Sequence, residues 1–403
     1  MNQRNQYPAI FVHGMFGWGS DEGIDRYLPY WGATGGNLMT FLNSLGYETY
    51  AASVGPVSSA WDRACELYAC LTGKRVDYGK AHASQYHHHR FGRTYEKPLI
   101  PDFSATHKVH LIGHSFGSMT VRLFAHLMAF GSPEEQAATD DGELSDLFRG
   151  GHADWVQSVV TICAPHNGAL IFRLSVKYHL KPVAERVVAA YITAVCRTPL
   201  QNRLVDFHLE QFGIHNTPGK QDHESLPKSM RQLLYTKDNI VYGISPEGCR
   251  DVNEITQPMI DSVYYFSYAF NAVSAGVKNK LHVQNSDFAF LRLLSNIGIH
   301  AYKNDFLSGN YTFDDIANDG LLEVSSAKHP RNQPHQLYDP NKIQPGIWQV
   351  MPVQNGDHGT AIGLFADPVR THVFYSLMMQ MLVKTEPEIA TEAEPGFATK
   401  DSC

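Results

Sequence analysis

Charged residues are scarce in this sequence. Asp, Glu, Lys and Arg make up 18% of its 403 residues, and the 33 basic side chains are scattered in a chain of net charge −7. Without a basic cluster there is no electrostatic footprint for nucleic acid and no polybasic membrane patch. Long apolar runs are missing too. The longest strongly apolar stretch, Val187 to Val195, follows Glu185 and Arg186 and is about half as long as a membrane span must be, which excludes a transmembrane helix. The six cysteines, Cys65, Cys70, Cys163, Cys196, Cys249 and Cys403, form no CxxC pair and no regular framework, which fits reduced thiols rather than a disulfide scaffold. Met1 to Gln6 lacks the basic start, apolar middle and cleavage site of an export signal, so the chain as written reads as cytoplasmic. The content that remains, 43% hydrophobic, is enough for a large core and is not the composition of a disordered chain.

Strand-like and helix-like segments alternate. Tyr7 to Val12, Tyr47 to Ala52, Lys108 to Gly113, Val156 to Cys163 and Val263 to Tyr268 read as strands. Helical patterns cover Gly36 to Leu45, Ala60 to Leu71, Ser118 to Phe130, Ala169 to Asn202 and Asp367 to Val383. That alternation predicts a mostly parallel sheet with helices on both faces. Between them, Val76 to Tyr95 is polar and rich in His and Tyr, an expected insertion, and part of a chain with 21 histidines. The polar, acidic end of the chain, residues 385–403, reads as a disordered tail after a single domain over residues 1–384.

Gly113-His114-Ser115-Phe116-Gly117 is a G-x-S-x-G pentapeptide placed between the strand KVHLI and the helix SMTVRLFAHLM. This is the context of the nucleophile elbow of α/β-hydrolases, where a strained turn exposes a serine at the sheet edge. Acyl transfer also needs hydrogen-bond donors for the oxyanion. The amide after the nucleophile, Phe116, supplies one, and Met15, just past the strand ending in His13-Gly14, is placed to supply the other.

In this fold the order along the chain is serine, acid, histidine. Asp319 in the turn Asn318-Asp319-Gly320 and His358 in Asp357-His358-Gly359 satisfy order and loop placement together. The competing acids are Asp314, Asp315 and Asp339, and the competing histidines are His329, His335 and His372.

Several blocks carry a resemblance: YPAIFVHGMFGWG (7–19), VGPVSSAWDRACELYA (54–69), VDYGKAHASQYHHHRFGRTY (76–95), VHLIGHSFGSMTVR (109–122), NDGLLEVSS (318–326) and GDHG (356–359). Together they resemble the Gram-positive bacterial lipases of family I.5, over nearly the whole chain. The resemblance implies a serine carboxylester hydrolase, foremost a triacylglycerol lipase, with Ser115 as nucleophile, Asp319 as acid, His358 as base and Met15 and Phe116 as oxyanion donors. Polyester hydrolase and short-chain carboxylesterase are the alternatives within the fold; an inactive lipid-binding or partner-binding relative is a remote one. The partner is an ester or lipid substrate, at a lipid–water interface in such enzymes. Members are usually secreted, which sets the location of a mature form against the cytoplasmic reading. The family usually has phenylalanine then methionine where Met15-Phe16 stand, and glutamine at Phe116.

The same resemblance implies a zinc-binding region at about 76–95, with Asp62, His82 and His88 as ligands. The family's fourth ligand, an aspartate, aligns with Gly243, so His87, Asp238 or a water must complete the tetrahedron. The family's calcium site, also implied by the resemblance, is weakened here: its glutamate is Thr360, and Asp367-Pro368 comes two residues late. No organic cofactor is implied. A helical lid is implied at about 169–200, with Leu170, Ile171, Phe172, Leu174, Val187, Val188 and Ile192 as its apolar face.

Overall fold

Seven parallel strands form the central sheet of the computed structural model, which describes residues 3–180, 182, 186, 189–190, 204–214, 232–275 and 280–387. In chain order the first are β1 (Ala9–Val12), β2 (Thr49–Ala52), β5 (Val109–His114), β6 (Val156–Ile162) and β7 (Tyr264–Tyr268), with β3 (Arg75–Asp77) and β4 (Phe91–Thr94) forming a separate ribbon. Two late strands, His335–Leu337 and Trp348–Val350, extend the sheet beyond β7, and β2 lies at the other edge after β5 and β1. β1, β5 and β6 are buried on both faces, which is why they read as continuous apolar runs rather than as alternations.

Helices cover both faces. On one face pack α2 (Ala60–Thr72) and α4 (Gly117–Phe130), burying Leu67, Leu71, Leu123 and Phe124. On the other lie α1 (Leu38–Ser44) and the last helix, Pro368–Val383, burying Leu38, Leu42, Tyr375 and Met379. α2 starts at Ser59, whose hydroxyl accepts from the Asp62 amide, and stops at Gly73 in a left-handed conformation. These two caps fix where Asp62 stands.

Residues 76–95 are a compact unit rather than a loop. β3 pairs antiparallel with β4, α3 (Lys80–Tyr86) fills the connection, and the Trp61 indole of α2 donates to the Tyr78 carbonyl at 2.8 Å. After the turn at Asn318 to Gly320 the chain runs directly into a short helix, Val324–Lys328. The long helix Ala289–Leu307 carries apolar residues on several sides and has no cap signal at Phe288, so its pattern was not readable. The expected tail is held at its start: Thr385 is buried, its carbonyl accepts from Gln157, and the Glu386 carboxylate accepts from the Gln6 amide and faces His110. Residues 388–403 lie outside the described residues. Of the expected lid, Leu170–Lys177 is a helix with Leu170 and Leu174 buried, while Val187, Val188 and Ile192 lie outside them.

Candidate active site

Ser115 directly follows β5 with φ +55°, a left-handed conformation that costs a non-glycine residue about 1–3 kcal/mol and places its side chain, half-buried, above the sheet. The flanking glycines permit this. A Cβ at Gly113 would come within 2.5 Å of the Gly117 carbonyl carbon, and one at Gly117 would overlap the Val12 carbonyl. The loop after β1 lies just as close: a Cβ at Gly14 would meet Ser115 Cβ at 2.8 Å. On either side of Ser115 stand Met15 and Phe116, and neither backbone amide donates a hydrogen bond among the described residues.

The acid and the histidine arrive on two loops at the same sheet edge. Asp319 is buried; its Oδ1 accepts from the Leu321 and Leu322 amides at 2.9 and 2.8 Å, and its Oδ2 faces His358 Nδ1 at 2.8 Å. The His358 amide also donates to the Asp319 carbonyl, at 2.8 Å, so backbone and side chain are registered together. A carboxylate at Nδ1 holds the tautomer that leaves Nε2 free as a base. No hydrogen bond joins Ser115 to His358 in this arrangement.

The rivals are engaged elsewhere. Asp357 accepts from the Thr360 amide and hydroxyl, from the Ser286 hydroxyl and from the Phe288 amide. Asp314 pairs with Lys328, Asp315 caps a helix through Thr312, and Asp339 pairs with Lys342. His329 and His335 stack on each other, and His372 stacks on Phe41.

Three supporting residues were not foreseen. Arg63, fully buried, donates to the His13 and Gly55 carbonyls and to the Thr120 hydroxyl, tying the β1 loop to α4. Burial pulls its guanidinium down to about 10, still charged at neutral pH. Tyr30 accepts from the Gly14 amide and meets His114 Nδ1 at 2.7 Å. His114, whose ring centre is 4.7 Å from that of His358, is held neutral, far below the usual imidazole range, by burial and then by His358. Arg63 and His114 sit in blocks that carry sequence signal, beside Asp62 and Ser115, whereas Tyr30 sits in none.

A second cluster forms where α2 meets the insertion. His82 Nε2 lies 3.3 Å from Asp62 Oδ1 and 3.2 Å from Asp238 Oδ1, and His88 Nε2 lies 3.1 Å from Asp238 Oδ2. One donor atom from each of the four lies within 4.8 Å of the others. Asp238 completes the set. Gly243, the position aligned with the family's fourth ligand, has no side chain to offer and is not in the cluster, where Asp238 stands with the three expected residues instead. Burial first and Asp238 second push the Asp62 carboxyl up to about 6. At Asp238 burial is outweighed by His82, and its carboxyl is held below the usual range. Beyond these contacts within the cluster, Asp62 Oδ1, His88 Nε2 and Asp238 Oδ2 are buried with no well-aligned hydrogen bond, an arrangement that a cation among them would satisfy. Gln211 donates to Asp62 Oδ2, and the His89 carbonyl meets His88 Nδ1, each fixing the orientation of one member of the cluster. At the expected calcium positions, the Asp367 side chain caps the last helix and the Thr360 hydroxyl is bound to Asp357.

Residues 5–393 match the family model described as Lipase-like, C-terminal domain. The chain is 34% identical over 376 residues to a lipase of Staphylococcus hyicus, covering 90% of this chain and 54% of that protein. It is 32% identical over 401 residues to Lipase 2 of Staphylococcus aureus, covering 97% and 55%. The chain thus spans about half the length of the curated relatives it matches. Among solved structures, the S. hyicus lipase superposes with a TM-score of 0.77 at 31% identity, over 95% of this chain and 97% of that one. EstA from Clostridium botulinum gives 0.73 at 30%, over 94% and 87%, and lipase 1 from Pelosinus fermentans gives 0.72 at 30%, over 93% and 99%.

Proposed function

The chain belongs to the lipase-like, C-terminal domain family of α/β-hydrolase fold, and from that premise we propose that it is a serine carboxylic ester hydrolase acting on triacylglycerols. The observation that carries this reading is the elbow serine, Ser115, at the same sheet edge as the Asp319–His358 pair.

In this reading Ser115 Oγ attacks the ester carbonyl while His358 Nε2 takes its proton. The amides of Met15 and Phe116 receive the tetrahedral oxyanion, and Asp319 stabilises the imidazolium. His358 then gives its proton to the departing alcohol, leaving an acyl-Ser115. Water, deprotonated by the same imidazole, attacks this ester and releases the acid. Arg63 and Tyr30 act on this chemistry only through the loop that bears Met15.

A lipid substrate is supported by the surface beside the site. The Ile171 amide of the helix Leu170–Lys177 donates to the Leu321 carbonyl, two residues from Asp319, and the segment exposes Val176, Tyr178 and Leu180. Phe290 and Leu293 are exposed on the helix Ala289–Leu307, which packs against it. Apolar groups around a catalytic mouth suit an acyl chain or a lipid surface. Among the described residues no helix is long and apolar enough to cross a membrane.

For the cluster of Asp62, His82, His88 and Asp238 we propose zinc, because two imidazoles and two carboxylates with buried donor atoms converging on one another suit a closed four-ligand site. The ion would supply cross-linking, joining α2, α3 and the segment at Asp238, and no step of the hydrolysis passes through it. A panel running from soluble short-chain esters to emulsified long-chain triacylglycerol tests the substrate assignment. Hydrolysis of the emulsion supports a lipase; activity confined to soluble short esters overturns that reading.

A further inference from the structure

Two buried side chains beside the candidate base transfer no proton and form no bond in the proposed hydrolysis: His114, and Cys163, whose thiol is pushed well above its ordinary range by burial and then by the neighbouring Asp319 carboxylate. Cys163 follows β6 with φ +49°, and His114 ends β5 in register with Ile162, so adjacent strands deliver a thiol and an imidazole to one place. His358 reaches the same place from its loop. One donor atom of each lies within 4.8 Å of the other two, and all three residues are buried. The Tyr30 hydroxyl engages His114 Nδ1, which leaves Nε2 buried without a hydrogen-bond partner. Cys163 is a free thiol.

One sulfur and two imidazole nitrogens at this spacing are a donor set for soft cations, whereas the four-residue cluster near α2 offers nitrogen and carboxylate oxygen only. We propose that His114, Cys163 and His358 form a separate site for a soft, thiophilic divalent cation, and that its occupation switches off hydrolysis. On binding, the Cys163 thiol loses its proton to solvent and a cation–thiolate bond forms, with no change of oxidation state. The inhibition rests on the reading of His358 as the base. Coordination through Nε2 removes the lone pair that takes the serine proton, and coordination through Nδ1 displaces Asp319.

The test is a titration of the zinc-loaded protein with cadmium chloride, reading ester hydrolysis together with the ultraviolet thiolate-to-cadmium charge-transfer band. Cadmium exchanging into the Asp62 cluster produces no such band, because that cluster has no sulfur. The expected result is a band saturating at one cadmium per chain, with loss of hydrolysis in step and recovery on adding a chelator. Cys163→Ser and, as a second variant, Cys163→Ala should lose the band and need at least tenfold more cadmium for half inhibition. His114→Asn should weaken cadmium binding while the thiol remains. Equal inhibition of the wild type and both Cys163 variants, or inhibition without a band, would overturn the site. A Cys163-dependent band with hydrolysis unchanged would uphold the site and count instead against His358 as the base.

Discussion

Asp357 is the chain neighbour of His358, yet it is Asp319, 39 positions earlier, that reaches the imidazole. The difference is one of available lone pairs: Asp357 spends both oxygens on Thr360, Ser286 and Phe288, whereas Asp319 keeps one oxygen for His358. Asp319→Asn is therefore expected to fold normally and lose about a thousandfold or more in kcat, since an amide cannot hold the tautomer or stabilise the imidazolium. Asp357→Asn should lower the melting temperature and leave much of kcat; steady-state kinetics and calorimetry on the two variants check this, and the reverse pattern would reassign the acid. Arg63→Lys removes the fork that joins the His13 and Gly55 carbonyls to Thr120, so kcat should fall about tenfold or more with KM little changed. A parallel rise in KM with kcat intact would mean that Arg63 serves binding instead. At this scale the sequence was legible where chemistry demands a pattern: glycines around Ser115, and serine, acid and histidine in order. Arg63, Tyr30 and Asp238 were harder to read, because their roles come from partners on distant elements that no local spacing records.

The insertion over 76–95 shows what an element-level cross-link does. α3 is a seven-residue helix between two short strands; its His82 ties it to Asp62 of α2, and His88, just past it, ties the insertion to the segment at Asp238. Purified without chelator, the protein should carry about one zinc per chain by elemental analysis; stripping it should lower the melting temperature while esterase activity at low temperature largely survives. Absence of zinc, with melting indifferent to added zinc, would contradict the site. Another tie holds the segment around His208, where Glu22 Oε1 and Glu66 Oε2 each lie 3.0 Å from the fully buried imidazole. Burial and Arg93 oppose its charge, but Asp206, Glu22 and Glu66 raise His208 to about 10; at Glu22 burial is outweighed by His208, and the carboxyl is lowered. The signs set a window. The His208 contribution is complete below its ordinary value of 6.5 and is lost as the pH climbs through about 10, and the Glu22 contribution is present above its ordinary 4.5 and lost on acidification below it. His208→Gln should therefore cost most melting temperature between those two ordinary values, with the penalty shrinking toward alkaline pH; a penalty independent of pH would show that the residue acts by packing alone. The acidic pair was invisible beforehand because Glu22, Glu66 and His208 come from three separate stretches of chain.

On the scale of the whole molecule, one sheet edge collects the site. β1 delivers Met15, β5 delivers Ser115, and the loops bearing Asp319 and His358 close over the same end. The parallel character of the sheet was readable because strands buried on both faces, such as β1, β5 and β6, leave unbroken apolar runs between helical patterns. The late strands His335–Leu337 and Trp348–Val350 were not, being three residues each, one of them at the sheet edge among polar neighbours. Serine hydrolysis here requires an acyl-enzyme at Ser115, and the most direct measurement is peptide mass spectrometry after reaction with a fluorophosphonate. One adduct per chain on Ser115, absent in Ser115→Ala together with ester hydrolysis while the variant keeps its fold, is the predicted result; an adduct on another residue, or near-native turnover by Ser115→Ala, would contradict it.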